Sequence, residues 1–184
     1  MTLNNNYILV GAGIVKMGAY TAAGAAASPM NDLGHTLSPT ELSTNIENFE
    51  VITERSFGRV KAVPTNAEFS IKAEFAQAEA ALLQQFLRQG SGQLTGTAPN
   101  QTFGMNDPLE VYYQLSITGP GTGTNKLRVL TFWKTQPLTM EPIPFAKAGV
   151  QKYGVTFGVF RDDSVIAVPA GTTLPGVYFM QVDS

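Results

Sequence analysis

Apolar and polar residues alternate with period two in three long stretches of the chain. In "EFSIKAEF", Phe69, Ile71, Ala73 and Phe75 fall on one side, and Glu68, Ser70, Lys72 and Glu74 on the other. In "LEVYYQLSIT", Leu109, Val111, Tyr113, Leu115 and Ile117 share a side; in "QKYGVTFGVF", Tyr153, Val155, Phe157 and Val159 do. Strict alternation marks a strand with one face on a core. Shorter β signals occur in "FEVITERSF", "RVKAVP", "KLRVLTFWKT" and the closing "PGVYFMQVD". The period changes once. In "AQAEAALLQQFLRQG", Ala78, Leu82, Leu83, Phe86 and Leu87 recur at helical spacing. Glu74 and Glu79 near its start and Arg88 near its end suit the helix dipole, and Gly90 is a suitable C′ stop.

This pattern predicts seven or eight strands and one helix. Alternating rather than continuous apolar runs favour antiparallel pairing. The expected fold is mainly β: an antiparallel β-sandwich or open barrel with one flanking α-helix, as one domain over residues 1–184. Between Thr21 and Asn45 the chain reads "TAAGAAASPMNDLGHTLSPTELSTN" and shows neither period. Structureless connections of that length are uncommon and usually have a function.

The segment "YILVGAGIVKMGAY" (Tyr7 to Tyr20) poses the one question of cofactor chemistry, because Gly11-Ala12-Gly13 after an apolar run is how dinucleotide cradles begin. The fingerprint needs a third glycine where Lys16 stands, and a helix after it. Ile14, Val15, Met17 and Tyr20, punctuated by Gly18, read as extended chain. The acid at the right distance, Asp32, lies in turn material. The expectation is therefore a strand, a glycine bend and a second strand, with no cofactor.

Composition narrows the field further. Only 14% of residues are charged, against about 25% in typical domains. Net charge is −2, and no basic run offers a grip on nucleic acid. There is no cysteine, hence no disulfide framework or thiolate metal site. No apolar run approaches the roughly 18 residues of a membrane helix, and no signal peptide is evident. His35 is the only imidazole, so no His pair exists for a metal. Asp162-Asp163 is the one paired-acid site, read as a strand-end turn rather than a calcium ligand pair. No nucleophile elbow, zincin or P-loop motif occurs. Phe132 and Trp133 are read as packing residues, with a subunit contact as a further place for them. The expectation is a protein with no catalytic residues, cofactor or metal.

Two features point to self-association. "FEVITERSF" and "KLRVLTFWKT" carry apolar residues of both parities: Ile52 and Phe57 against Val51, and Leu130 with Phe132 against Val129 with Trp133. Such strands need two covers, and one helix can supply only one. A neighbouring copy could supply the second and continue the sheet. The other feature is charge. From Met17 to Glu54 there is no Lys or Arg but five acids: Asp32, Glu41, Glu47, Glu50 and Glu54.

With these features in place, the chain resembles the tail tube proteins of long-tailed bacteriophages. The likeness lies in order and texture over nearly the whole length: an early strand, a long Gly/Ala/Pro loop, a strand group running through "NAEFSIKAEF" into the helix "AEAALLQQFL", then a long hairpin and late strands. It implies six copies in a ring whose sheets join into an inner β-barrel. Rings would stack into a hollow tube around a tape-measure protein, with tail terminator and baseplate proteins at the ends, and DNA would pass through transiently. The site would be the virion tail, assembled in the host bacterial cytoplasm, without membrane insertion. Mapped onto this chain, residues from about 17 to 45 form the ring-to-ring loop. Phe69, Ile71, Phe75, Leu82, Leu83, Phe86 and Leu87 form the sheet–helix core, and Glu50, Glu54, Glu68 and Glu74 are candidate lumen-facing acids. The hairpin tip, Gly119 to Asn125, has no assigned direction. Two alternatives stand beside this reading: another phage component (tail terminator, baseplate ring or capsid decoration protein), and a binding module or small enzyme on a β-sandwich.

Overall fold

The computed structural model describes residues 7–10, 13–21, 27–34, 36–52, 59–76, 79–97, 100–120, 127–143, 152–167 and 173–183. Most of these residues lie in thirteen antiparallel strands. The main sheet takes β1 (Tyr7–Val10), β4 (Thr40–Ile52), β5 (Arg59–Phe75), β10 (Tyr153–Phe160), β9 (Leu127–Met140), β8 (Tyr113–Pro120), β2 (Ile14–Ala19) and β3 (Asn31–Asp32) in that spatial order. β13 (Phe179–Asp183) pairs the first half of β9. Two small hairpins stand apart: β6 (Leu94–Thr97) with β7 (Asn100–Phe103), and β11 (Asp162–Ala167) with β12 (Thr173–Val177). The helix α1 spans Ala80–Phe86. The expected mainly-β, antiparallel open-barrel class with a flanking helix is the observed one.

Chain connectivity forces the sheet to curl. β1 and β2 are six strand steps apart in the order, so on a flat sheet they would stand roughly 29 Å apart at about 4.8 Å per step. Yet Val10 and Ile14 are four residues apart in sequence, a reach of at most about 14 Å. The sheet must therefore bend until its ends approach. The opening segment is thus two strands and a bend, as expected, but the strands do not pair with each other: β1 pairs β4 and β2 pairs β8. Among the described residues no pairing closes the seam between β1 and β3, which leaves an open barrel.

The curl gathers one core from strands at both ends. Val15 and Met17 of β2 join Leu42 of β4, Ile71, Ala73 and Phe75 of β5, Leu115 and Ile117 of β8, Leu130 and Phe132 of β9, and the Tyr153–Val159 face of β10. Each alternating stretch turns the expected face to the core, except that Leu109 and Val111 lie before β8, Leu109 exposed and Val111 half-buried. The two strands expected from "RVKAVP" and "EFSIKAEF" are one strand, β5.

α1 closes the core from one side. Phe86 stacks on Phe75 at 5.5 Å and meets Phe157 edge-on at 6.0 Å. The helix is shorter than its periodicity implies: Ala78 lies outside the described residues, Glu79 is the N-cap without a side-chain cap bond, and no acid or base occupies the first or last turn. The dipole argument therefore does not apply. Nor does Gly90 end the helix. Arg88 takes the left-handed conformation, φ 54°. The Gln89 N–H donates to the Gln84 carbonyl at 2.8 Å, and the Arg88 N–H to that of Gln85 at 3.1 Å. That pair of bonds is a Schellman motif with Arg88 at C′.

The long irregular segment is shorter than the expected 17–45. Met17 is buried in β2, and residues 40–45 belong to β4. Between them, Leu33 enters the core, and β3 pairs Lys16 and Met17. Residues 27–30 lie on the opposite face of the sheet. There a Cβ at Gly18 would meet the Ala27 Cβ at 2.7 Å, and Gln114, buried, accepts a hydrogen bond from the Ala27 N–H.

Candidate self-association surface

β4 and β5 pair along nearly their whole length, from Glu41↔Lys72 to Ile52↔Arg59. Their other neighbours are short. Among the described residues β1 covers β4 at residues 40–43, and β10 covers β5 at residues 69–75. Beyond those limits the two strands continue as a two-stranded ribbon. Every side chain from Asn45 to Phe49 and from Ala62 to Asn66 is exposed. The ribbon still carries apolar groups: Ile46 is 53% exposed, Phe49 62% and Val63 38%. Phe49 and Val63 are direct cross-strand partners, so they form one knob. Isolated two-stranded hairpins are marginal in water, and both long edges here lack strand partners among the described residues.

At the root of the ribbon, where Val159↔Phe69 is the last β10–β5 pair, lies a groove of about 500 Å³. Its apolar lining includes Phe69, Leu138, Val159, Phe160 and Tyr178. Phe69 and Tyr178 pack with ring centroids 4.6 Å apart. Leu138 is 51% exposed and sits over Gly158, whose absent Cβ would lie 2.7 Å from the Leu138 Cδ1. The glycine lets the leucine lie down on the sheet. A second groove between residues 30–34 and α1 is lined by Asp32, Glu79 and Gln85. Asp32 there accepts the Gly34 N–H at 2.8 Å.

The acids fall into a pattern. Register places Glu41 opposite Lys72, Asn45 opposite Glu68 and Glu47 opposite Asn66, so these residues and Glu74 share the face away from α1. Glu68 is exposed and Glu74 half-buried. Lys72 donates to the Glu141 carboxylate at 2.6 Å, and that hydrogen bond raises the Lys72 pKa. Of the other two candidate acids, Glu50 lies in β4 opposite Ala62, and Glu54 lies outside the described residues. His35 and the hairpin tip from residue 121 onward lie outside them too.

The expected core residues are brought together. Ile71, Phe75 and Phe86 are buried, and Phe69, Leu82 and Leu83 pack against them partly buried. Leu87 is the half-buried C-cap of α1. Phe132 is fully in the core, and Trp133 is buried with its Nε1 lacking a partner among the described residues. Asp162 and Asp163 open β11 rather than forming a turn, and they do not converge. Asp162 is buried and accepts the Tyr20 hydroxyl at 3.3 Å. Asp163 is exposed on Arg161 at 2.9 Å. Burial first, then Asp162, pushes the Tyr20 hydroxyl pKa up. Beside them Lys134 sits 4.5 Å over the Tyr112 ring, which meets Phe160 edge-on. Among the described residues no cluster of three or more metal-ligating side chains occurs, and no helix is long and apolar enough to cross a membrane. The ribbon as such was not foreseen; its signal in the sequence was the two-sided apolar pattern of "FEVITERSF".

No protein-family model matches the chain, and a search of curated proteins finds no match either.

Proposed function

We propose that this chain is a structural subunit that binds copies of itself into rings, and that the rings stack into the hollow tail tube of a long-tailed bacteriophage. The supporting observation is the β4–β5 ribbon. It carries exposed apolar side chains and two strand edges without partners among the described residues. A head-to-tail partner that supplies the cover generates a ring when its rotation closes. Inward of the ribbon, the face bearing Glu41, Glu74 and Lys72, whose charge Glu141 offsets, would line the channel. Carboxylates there would repel DNA phosphate, whereas Lys and Arg contacts would bind it and retard its passage. The tape-measure, terminator and baseplate proteins are the further partners this role requires.

Electron microscopy of the purified, negatively stained protein tests the reading. Rings or tubes of uniform width are expected. A strictly monomeric species at high concentration would overturn it. Single rings that never propagate would instead favour a terminator or baseplate ring.

A further inference from the structure

We infer that the Phe49–Val63 knob of one copy seats in the groove at the ribbon root of the next copy. The two features match in chemistry. The knob is an exposed aromatic–aliphatic pair held by direct cross-strand register. The groove is large enough for such a pair, and Phe69, Leu138 and Tyr178 give it apolar walls.

Geometry excludes an intramolecular fit. Knob and groove lie on the same ribbon, with Asn45 in the groove lining and Phe49 four residues further on. A paired strand advances about 3.3 Å per residue, so the knob is held roughly 13 Å beyond its own groove. Only another molecule can bring a knob there. Because knob and groove are different surfaces, the contact is head-to-tail. Glu47, two residues before Phe49 and exposed, accompanies the knob; the groove is lined by one charge of each sign, Arg161 and Glu68, so Arg161 is the group that can meet Glu47. Among the described residues Arg161 pairs with the exposed Asp163, and exposed pairs of that kind are weak and easily exchanged.

The assignment rests on the ring reading in one respect: the chain must bind itself. The test uses the full chain and two variants at exposed positions, Phe49→Asp and Leu138→Arg, followed by sedimentation velocity. Melting curves of both should match wild type, which separates lost docking from lost folding. Wild type should assemble, and each variant alone should remain monomeric, with association at least tenfold weaker. An equimolar mixture should form dimers and stop there, because one intact knob and one intact groove make a single joint. If wild type assembles and Phe49→Asp assembles equally well, the docking assignment falls and the ring reading survives. The same holds if the folded variants are each monomeric but their mixture yields no dimer. If wild type is itself monomeric at high concentration, both fall.

Discussion

One pair of strands contains two contrasting regions. In the inner half of β4–β5, Leu42 faces Ile71, and Ile71 faces Phe157 across the next strand, so its apolar side is covered. In the outer half, Ile46 faces Ala67 and Phe49 faces Val63 in the same ladder, and Ile46, Phe49 and Val63 all lie open. Antiparallel pairing runs through both halves, but only the outer half carries register shifts, between Glu47 and Asn48 and between Val51 and Ile52, and Phe49 lies on the face opposite Ile46. The difference is supplied by neighbours: β10 and α1 stop short of the ribbon. Pairing makes a strand, but cover decides whether it stabilises the domain or presents a surface.

The sharpest way to break this contrast is to truncate its inner side. Ile71→Ala should cost about 2–5 kcal/mol in urea unfolding of dissociated protein, as buried aliphatic truncations do. A loss below about 1 kcal/mol would mean the inner half is not what holds the sheet. Next in size is a test of cover supplied by the chain itself. Gly18→Ala would drive a Cβ into Ala27, Met30 and the Pro29 carbonyl, an overpacking worth about 1–3 kcal/mol. An unchanged melt would show that residues 27–30 do not clamp β2. Deleting Gly24 to Pro39 removes Leu33 from the core as well, so it tests folding together with any ring-to-ring role of that segment. Arg88→Gly should act in the opposite direction, raising stability by about 1 kcal/mol by relieving a left-handed non-glycine residue; a destabilised variant would mean the arginine side chain contributes more than its backbone costs.

On the outer half, Phe49→Ala should change the unfolding free energy of the dissociated chain by no more than about 0.5 kcal/mol, as exposed positions do. A larger loss would show that the ribbon is covered within the monomer. The smallest effect concerns pH. Burial raises the Tyr113 hydroxyl pKa. A folded value above the unfolded one gives stability that is complete below about pH 10. That stability is lost as pH rises through the folded value. Phenolate absorbance of native protein should therefore lag that of unfolded chain; coincident titrations would place Tyr113 in water.

Sequence reading was most accurate where the signal is local. The buried faces of Glu68–Phe75 and Tyr153–Phe160, and the Leu82–Phe86 face of α1, follow from period alone. It went astray at boundaries. Gly90 looked like the helix stop because glycine adopts positive φ freely, yet Gln89 fixes the turn at Arg88. Its buried side chain exchanges hydrogen bonds with the Asn106 backbone, at 2.7 Å to its Oε1 and 2.9 Å from its Nε2. Residues 21–45 looked structureless because the partners that order them lie elsewhere: Lys16 and Met17 for β3, and Ile71 and its neighbours for β4. Among the candidate acids, Glu68 and Glu74 were correctly assigned to one face of a strand, since parity is a property of the strand itself.

Which side of each strand is apolar, and that one helix flanks the sheet, could be read from residue order alone, because side-chain identity and backbone period are written residue by residue. It took the fold to show that β1 and β2 part to places six strands apart in a curled sheet, and that β4 and β5 outrun their neighbours among the described residues. Those outcomes depend on where distant segments stop, and a period carries no information about its partner's length.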